Sequence, residues 1–283
     1  MSLDALALVL SDLSPEQRRE FAPTISGEPV EALAVALEDG ELCGAAWGQR
    51  QPGSTAILLP PRMTGDDDDE TPCRLACAVA AALDAAGVRM SQVLLPDRNA
   101  AIIPVLQAAG FACLADLLYL SWEAAATPDP VGGPIEFESY HDSQRLRLIA
   151  LVEKTYESTQ DCAALNGKRP MDEVLEGYRA TGAFRAENWL FVRAAGQDVG
   201  VLLLADHRSA KHWELMYMGL LPSTRGRHFG CKVVRHAQRL ASAAGADRIV
   251  LAVDAENFPA IKMYNETGFT AWDRRTVFVR FAS

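Results

Sequence analysis

At 283 residues, with 49% hydrophobic and 23% charged residues, the chain has the balance of a globular protein and length enough for two domains. A formal net charge of −10 excludes nucleic acid and anionic membrane as general partners, because affinity for both rests on Lys and Arg neutralising phosphates. No apolar run reaches 18 residues, and the opening MSLDALALVLSDLSPEQRREF has no basic n-region and carries Asp4 inside its apolar stretch, so the expected location is cytoplasmic, away from membranes.

Residues 1–124 form the first expected domain. After the strand-like AILLPPRM comes TGDDDDETP, where Asp66, Asp67, Asp68, Asp69 and Glu70 set five carboxylates in a row. The spacing is not that of an EF-hand, which leaves a solvated acidic loop. Cys73 and Cys77 follow one helical turn apart in an Ala-rich segment. With Cys43, Cys113, Cys162 and Cys231 they make no CxxC pair, which points to buried reduced thiols rather than disulfides or a metal site. Leu83 to Phe111 then reads as helix end, strand, Asn99, helix and Gly-Phe, and LLYLSW as a strand. The stretch AAATPDPVGGP marks a seam, with 125–134 as the linker.

The second domain, 135–283, opens with a strand at Ile135 to Tyr140 and helices over DSQRLRLIALVEKTYEST and MDEVLEGYRATG. Three strands follow, around NWLFVRAA, DVGVLLLAD and HWELMYMGLL; then come a helix, the strand RIVLAVD, a helix after Asn257 and the strand RTVFVRF. Strands in a meander that then alternate with helices predict a mixed α/β (α+β) fold, a central mixed sheet flanked by helices. Ala241 to Phe269 repeats the order of Leu83 to Phe111: twelve residues separate Gly245 from Asn257 and Gly87 from Asn99, and eleven separate Asn257 from Gly268 and Asn99 from Gly110. The same fold is therefore expected twice.

Between the last meander strand and its helix lies LLPSTRGRHFGCKVVRHAQRL. Phe229, Val233, Ala237 and Leu240 recur at helical spacing, so the helix starts near Arg227 or His228 and the glycine-bearing loop is its N-terminus. Unpaired N–H groups and the positive end of the macrodipole favour an anion there, Gly226 and Gly230 allow close approach, and Arg225 and Arg227 add charge suited to phosphate.

Strand, Pro222, then Arg225, Gly226, Phe229 and Gly230 resemble the Q/R-x-x-G-x-G/A phosphate loop of the GNAT superfamily of N-acyltransferases. Asn257, Ala260, Met263, Tyr264, Gly268 and Phe269 resemble that family's second motif. His228 stands where the family's central glycine sits, and its Cβ narrows a place of close backbone approach. In the first half the acidic run replaces the loop and Leu106 replaces Tyr264, so that half resembles a degenerate copy. The resemblance implies two GNAT-like domains, the second binding acetyl-CoA as acyl donor through Met218, Leu220, Arg225, Gly226, Arg227, His228, Phe229, Gly230, Asn257 and Ala260.

Transfer of an acyl group to an amine needs a base, an oxyanion donor and an acid for the leaving thiolate. Glu214 is the candidate base; even spacing along its strand points it to the face of Met216, Met218 and Leu220. Tyr264 is the acid by resemblance, and a backbone N–H near Met218 the oxyanion donor. Tyr156, Asp161, Asn166 and Arg169, in the loop after the first helix, are candidate acceptor contacts. No histidine spacing matches zinc, and Trp213, Tyr217 and Trp272 read as core. The expected acceptor is a small-molecule amine or peptide, and a homodimer is compatible with the sequence. A non-catalytic acyl-CoA-binding regulator or scaffold is the alternative; it has no need of Tyr264 or Glu214.

Overall fold

The computed structural model describes residues 2–11, 32–65, 70–96, 98, 100–124 and 133–282. Asp66 to Asp69, Asn99 and linker residues 125–132 lie outside the described residues. Contacts divide the chain into one unit of 1–114 with 276–283 and another of 115–275. The division falls at Leu114 and again at Arg275, not at the Pro- and Gly-rich seam.

In the first unit, α1 (Ser2–Val9) precedes an antiparallel meander of β1 (Leu33–Glu38), β2 (Glu41–Gln51) and β3 (Thr55–Met63). Helix α2 (Glu70–Ala85) leads to β4 (Met90–Leu95), parallel to β3, and α3 (Ile103–Ala108) follows. The unit's last strand is not the next one in sequence. It is Thr276–Phe281 of β11 (Thr270–Phe281), antiparallel to β4 from Leu95 to Met90. Its register is backed by Arg280, which reaches Asp84 with two bonds of 2.6 Å. Leu75, Ala76, Val79, Ala80 and Leu83 give α2 one buried face against this sheet. Cys77 falls off that face and Cys113 is also exposed, and the other four cysteines are half-buried, so the expectation of buried thiols does not hold; all six are free.

The second unit repeats the plan with one more meander strand. Strands β6 (Ile135–Ser139), β7 (Trp189–Ala194), β8 (Gln197–His207) and β9 (His212–Leu220) run antiparallel in turn, β10 (Arg248–Asp254) is parallel to β9, and the last strand again comes from elsewhere. It belongs to β5 (Ala112–Glu123), whose Leu117–Glu123 lie antiparallel to Asp254–Arg248. Helices α4 (Arg145–Tyr156) and α5 (Met171–Ala180) cover one face through Leu148, Leu151, Val152 and Leu175. On the other face lie α6 (Phe229–Ala243) and α7 (Phe258–Glu266), packed through Phe229, Val233, Val234, Ala237 and Tyr264. Arg147 fixes α4 to the sheet, donating to Glu138 of β6 and Asp198 of β8.

The repeat spacing has a physical origin. Gly87 and Gly245 each follow a helix at φ +80° and +75°, and Gly110 and Gly268 do so at +86° and +89°, a left-handed conformation that ends a helix with little strain only in glycine. Trp213 is core at 5% exposure, whereas Trp272 is 60% exposed, its ring meeting that of Tyr119 edge-on. The expectation that Trp272 is core is thereby overturned; the strand's early residues are mostly exposed.

Candidate acyl-transfer site

Strand β10 pairs with β9 only over Arg248–Val250 against His212–Glu214, although β9 continues to Leu220 and β10 to Asp254. Beyond Glu214 the two strands part. A cleft of about 190 Å³ opens between them, walled by Met216 to Leu220, Ala252 and Val253, by Asn257, Ala260 and Tyr264 of the α7 region, and by Thr155 and Ser158 to Asp161.

A β-bulge shapes the β9 wall. Leu203 pairs with Tyr217 but Leu204 with Leu215, which leaves Met216 as the extra residue. Trp213 and Leu215 therefore share the α6 face with Met218 and Leu220, while Met216 and Tyr217 face α4 and α5. This corrects the even-spacing expectation for Glu214: it shares a face with Met216 but not with Met218 or Leu220, because one inserted residue inverts the alternation. Glu214 is the last β9 residue paired with β10. Its Oε2 lies 2.9 Å from His207 Nε2, and His207 stacks on His212. Glu214 does not line the cleft.

Tyr264 does line it. The residue is 6% exposed, its ring packs against Phe269, and its hydroxyl bonds to no protein group among the described residues. Burial, with the nearby Asp161 charge adding to it, raises the phenol well above its ordinary value, so it carries its proton throughout the neutral range. Asn257 caps α7, its Oδ1 accepting from Ala260 N at 3.3 Å.

The loop at the start of α6 is organised differently from the sequence reading. Arg225 is committed to carbonyls: Nε donates to Leu220 O, Nη1 to Ser158 O and Nη2 to Thr155 O, at 3.1, 2.9 and 2.8 Å. These three bonds to neutral carbonyls fix the guanidinium without cancelling its charge. The Arg227 guanidinium lies over the Phe229 ring, 4.9 Å from its centroid, and Phe229 itself is buried in the core. Gly226 has a positive φ and open space around it. Gly230 lies close against α7: a Cβ there would overlap Met263 Sδ and displace that side chain. His228 adopts φ +57° at the cap of α6, which explains a preference for glycine at that position: the conformation costs an ordinary residue about 1–2 kcal/mol. Met218, Leu220, Arg225, Gly226, His228, Phe229, Gly230, Asn257 and Ala260 border a groove that continues from the cleft along α6 and α7. Lys262, absent from the sequence reading, lines the same groove; its signal was its place inside the second motif, between Ala260 and Met263.

Of the acceptor candidates, Asp161 and Arg169 each come within electrostatic reach of Tyr156. Asp161 keeps solvent contact, yet the protein packed around it raises its carboxyl; the Asp254 N–H opposes this and the Asp254 charge adds to it. Asn166 is not brought in: it is exposed and its amide donates to Tyr156 O at 3.3 Å, holding the loop. Thr155 and Tyr217, which the sequence did not mark as site residues, join across the cleft wall at 2.7 Å. Gly219 permits this contact, because a Cβ would fall 2.5 Å from Thr155 Oγ1.

The N-terminus of α6 thus lies beside a cleft between parted parallel strands, and the cleft is lined by a protonated phenol. Residues 152–269 match the acetyltransferase (GNAT) family. A mycothiol acetyltransferase of Corynebacterium efficiens is 33% identical over 95 residues, which is 34% of this chain and 32% of that protein. A mycothiol acetyltransferase of Streptomyces bingchenggensis is 28% identical over 90 residues, 32% of this chain and 29% of that protein. The match thus spans about a third of the length of these curated relatives. Among solved structures, a GCN5-related N-acetyltransferase from Sphaerobacter thermophilus superposes with a TM-score of 0.65 at 14% identity, covering 99% of this chain and 91% of that one. A tandem GNAT protein from the clavulanic acid biosynthesis pathway gives 0.54 at 13% identity, covering 99% and 94%. Both share the fold. Among the described residues no helix is long and apolar enough to cross a membrane, and no cluster of three His, Cys, Asp or Glu could hold a metal ion.

Proposed function

We propose that the second unit transfers an acyl group, acetyl in the simplest case, from acyl-CoA to the primary amine of a small-molecule or peptide acceptor. The observation that carries this reading is the parting of β9 and β10 after Glu214 and Val250 into a cleft where Tyr264 presents an unpartnered, proton-bearing hydroxyl. In this reading backbone N–H groups of the Gly226–Gly230 loop hold the pyrophosphate, and the freed edge of β9 around Met218 supplies an N–H to the carbonyl oxygen. The amine nitrogen attacks the thioester carbon, its proton passes to a base, the C–S bond breaks, and Tyr264 protonates the departing sulfur. Glu214 is proposed as the base, acting from the α4 face through water, with His207 holding its carboxylate.

Two further parts of the proposal stand on the division of the chain. The first unit is a copy without donor chemistry: Leu106, which occupies the repeat position of Tyr264, is fully buried in an apolar core. One donor is therefore bound per chain. Titration calorimetry with acetyl-CoA and with CoA tests the reading; a stoichiometry near one supports it, and no binding at millimolar ligand overturns it. CoA binding without turnover on any amine would instead favour a non-catalytic acyl-CoA-binding regulator or scaffold, and turnover that survives removal of both Glu214 and Tyr264 would take those two residues out of the mechanism.

A further inference from the structure

The loop from Glu157 to Cys162 is fastened to both parted strands. At the β9 end, Arg225 Nε holds Leu220 O while Nη1 and Nη2 hold Ser158 O and Thr155 O. At the β10 end the fastening is reciprocal: Asp161 Oδ1 accepts from Asp254 N at 2.9 Å, and Asp254 Oδ2 accepts from Cys162 N at 3.1 Å. Asp254 Oδ1 also accepts from Glu256 N, which joins the start of α7 to the same knot. Ser158 and Cys162, one at each fastening, have φ of +53° and +44°. Side chains in that conformation persist only where surrounding bonds over-determine them. The loop is thus a bridge across the open end of the cleft, held under backbone strain by one guanidinium and a pair of carboxylates.

We infer that Arg225 is a positioning residue that makes the donor loop and the acceptor loop one mechanical piece, with Asp161 and Asp254 as the opposite anchor. Arg225 sits in the donor loop, but each of the three nitrogens of its guanidinium donates to a carbonyl, two of them in the segment that carries Thr155, Ser158 and Asp161 along the cleft. Order in the donor loop is therefore transmitted to the acceptor side, and loss of Arg225 acts on everything the bridge covers rather than on phosphate. The assignment of donor and acceptor sides rests on the acyltransferase reading; the mechanical link itself rests on the bonds.

Hydrogen–deuterium exchange on the ligand-free full chain tests the link. Arg225→Ala should speed exchange of the amides from Ser158 to Cys162 by tenfold or more, Asp161→Ala should do the same, and Tyr264→Phe should leave them unchanged. Calorimetry with CoA and with pantetheine supplies the second readout. Arg225→Ala should weaken both ligands by a similar factor, roughly 3- to 10-fold for loss of a positioned wall, and Arg225→Lys, which can keep one carbonyl bond and the charge, should recover part of it. If Arg225→Ala does not fold, Arg225→Lys and Asp161→Ala carry the same two measurements. A loss confined to CoA, with pantetheine affinity and loop exchange as in the wild type, would overturn the inference and make Arg225 a phosphate ligand. Absence of CoA and pantetheine binding in the wild-type chain would sink the acyltransferase reading while leaving the exchange result to decide the link.

Discussion

At the scale of single residues, polar function depends on what each side chain already holds. Tyr264 holds nothing, and its hydroxyl is available to the cleft. Tyr264→Phe removes that hydroxyl and little volume, so kcat should fall by roughly 10²-fold while CoA affinity stays within twofold, as stopped-flow thiol release and calorimetry would show. An unchanged kcat would remove Tyr264 from proton transfer. His228 offers a stability test of its backbone. Relief of the left-handed strain is worth about 1–2 kcal/mol, and the added freedom of glycine in the unfolded chain gives back about 0.4–1 kcal/mol. His228→Gly should therefore raise the thermal midpoint, whereas His228→Ala, which keeps the strain, should not; equal midpoints would show that the strain is absorbed elsewhere. The sequence placed Asn257 and Tyr264 on a helix that does reach the cleft, because helical spacing and a capping Asn are local signals. It could not show that Arg225 and Asn166 are spent on carbonyls, since backbone acceptors are supplied by folding and carry no residue code.

Elements were legible where their period was unbroken. Helix α6 begins one or two residues past its expected start, and the strands β6 to β9 follow one another in the sheet as expected. What escaped was the bulge at Met216, because inserting one residue into a strand leaves composition and length unchanged while inverting every later side chain. Helix α6 also carries a titrating group toward the sheet. His236 stacks on Phe137 of β6, ring centroids 3.6 Å apart, and burial followed by the Arg239 charge pulls its pKa down to about 4. The folded state then refuses a proton that the unfolded chain accepts from about pH 6.5 downward. Stability should fall as the solution is acidified from about pH 6.5 to 4, by on the order of 1–3 kcal/mol after allowance for partial exposure. His236→Phe keeps the stack and removes the titration, so in urea unfolding it should lose less stability than the wild type between pH 7 and 4.5. Parallel losses would mean that His236 is protonated in the folded protein.

For the whole molecule, the repeat was legible and the exchange of last strands was not. Gly87, Gly110, Gly245 and Gly268 punctuate both copies at positive φ, which any reader of spacing can find. Which partner a strand takes is a choice between two similar sheets, and LLYLSW and RTVFVRF suit either one. A fragment of 135–283 therefore lacks the strand that covers β10, and circular dichroism should show no cooperative melt, whereas 112–275 should give one. A sharp melt of 135–283 at the temperature of the full chain would show that β5 is dispensable. The exchange also sets a timetable for synthesis on the ribosome. The Asp84 to Arg280 pair joins residues 196 apart, so the first unit cannot finish until residues 276–281 have been made and have left the exit tunnel. Until then the nascent protein displays β4 as an open edge, and the first unit, although most of it is made first, cannot close before the second, unlike the usual N-terminal-first order.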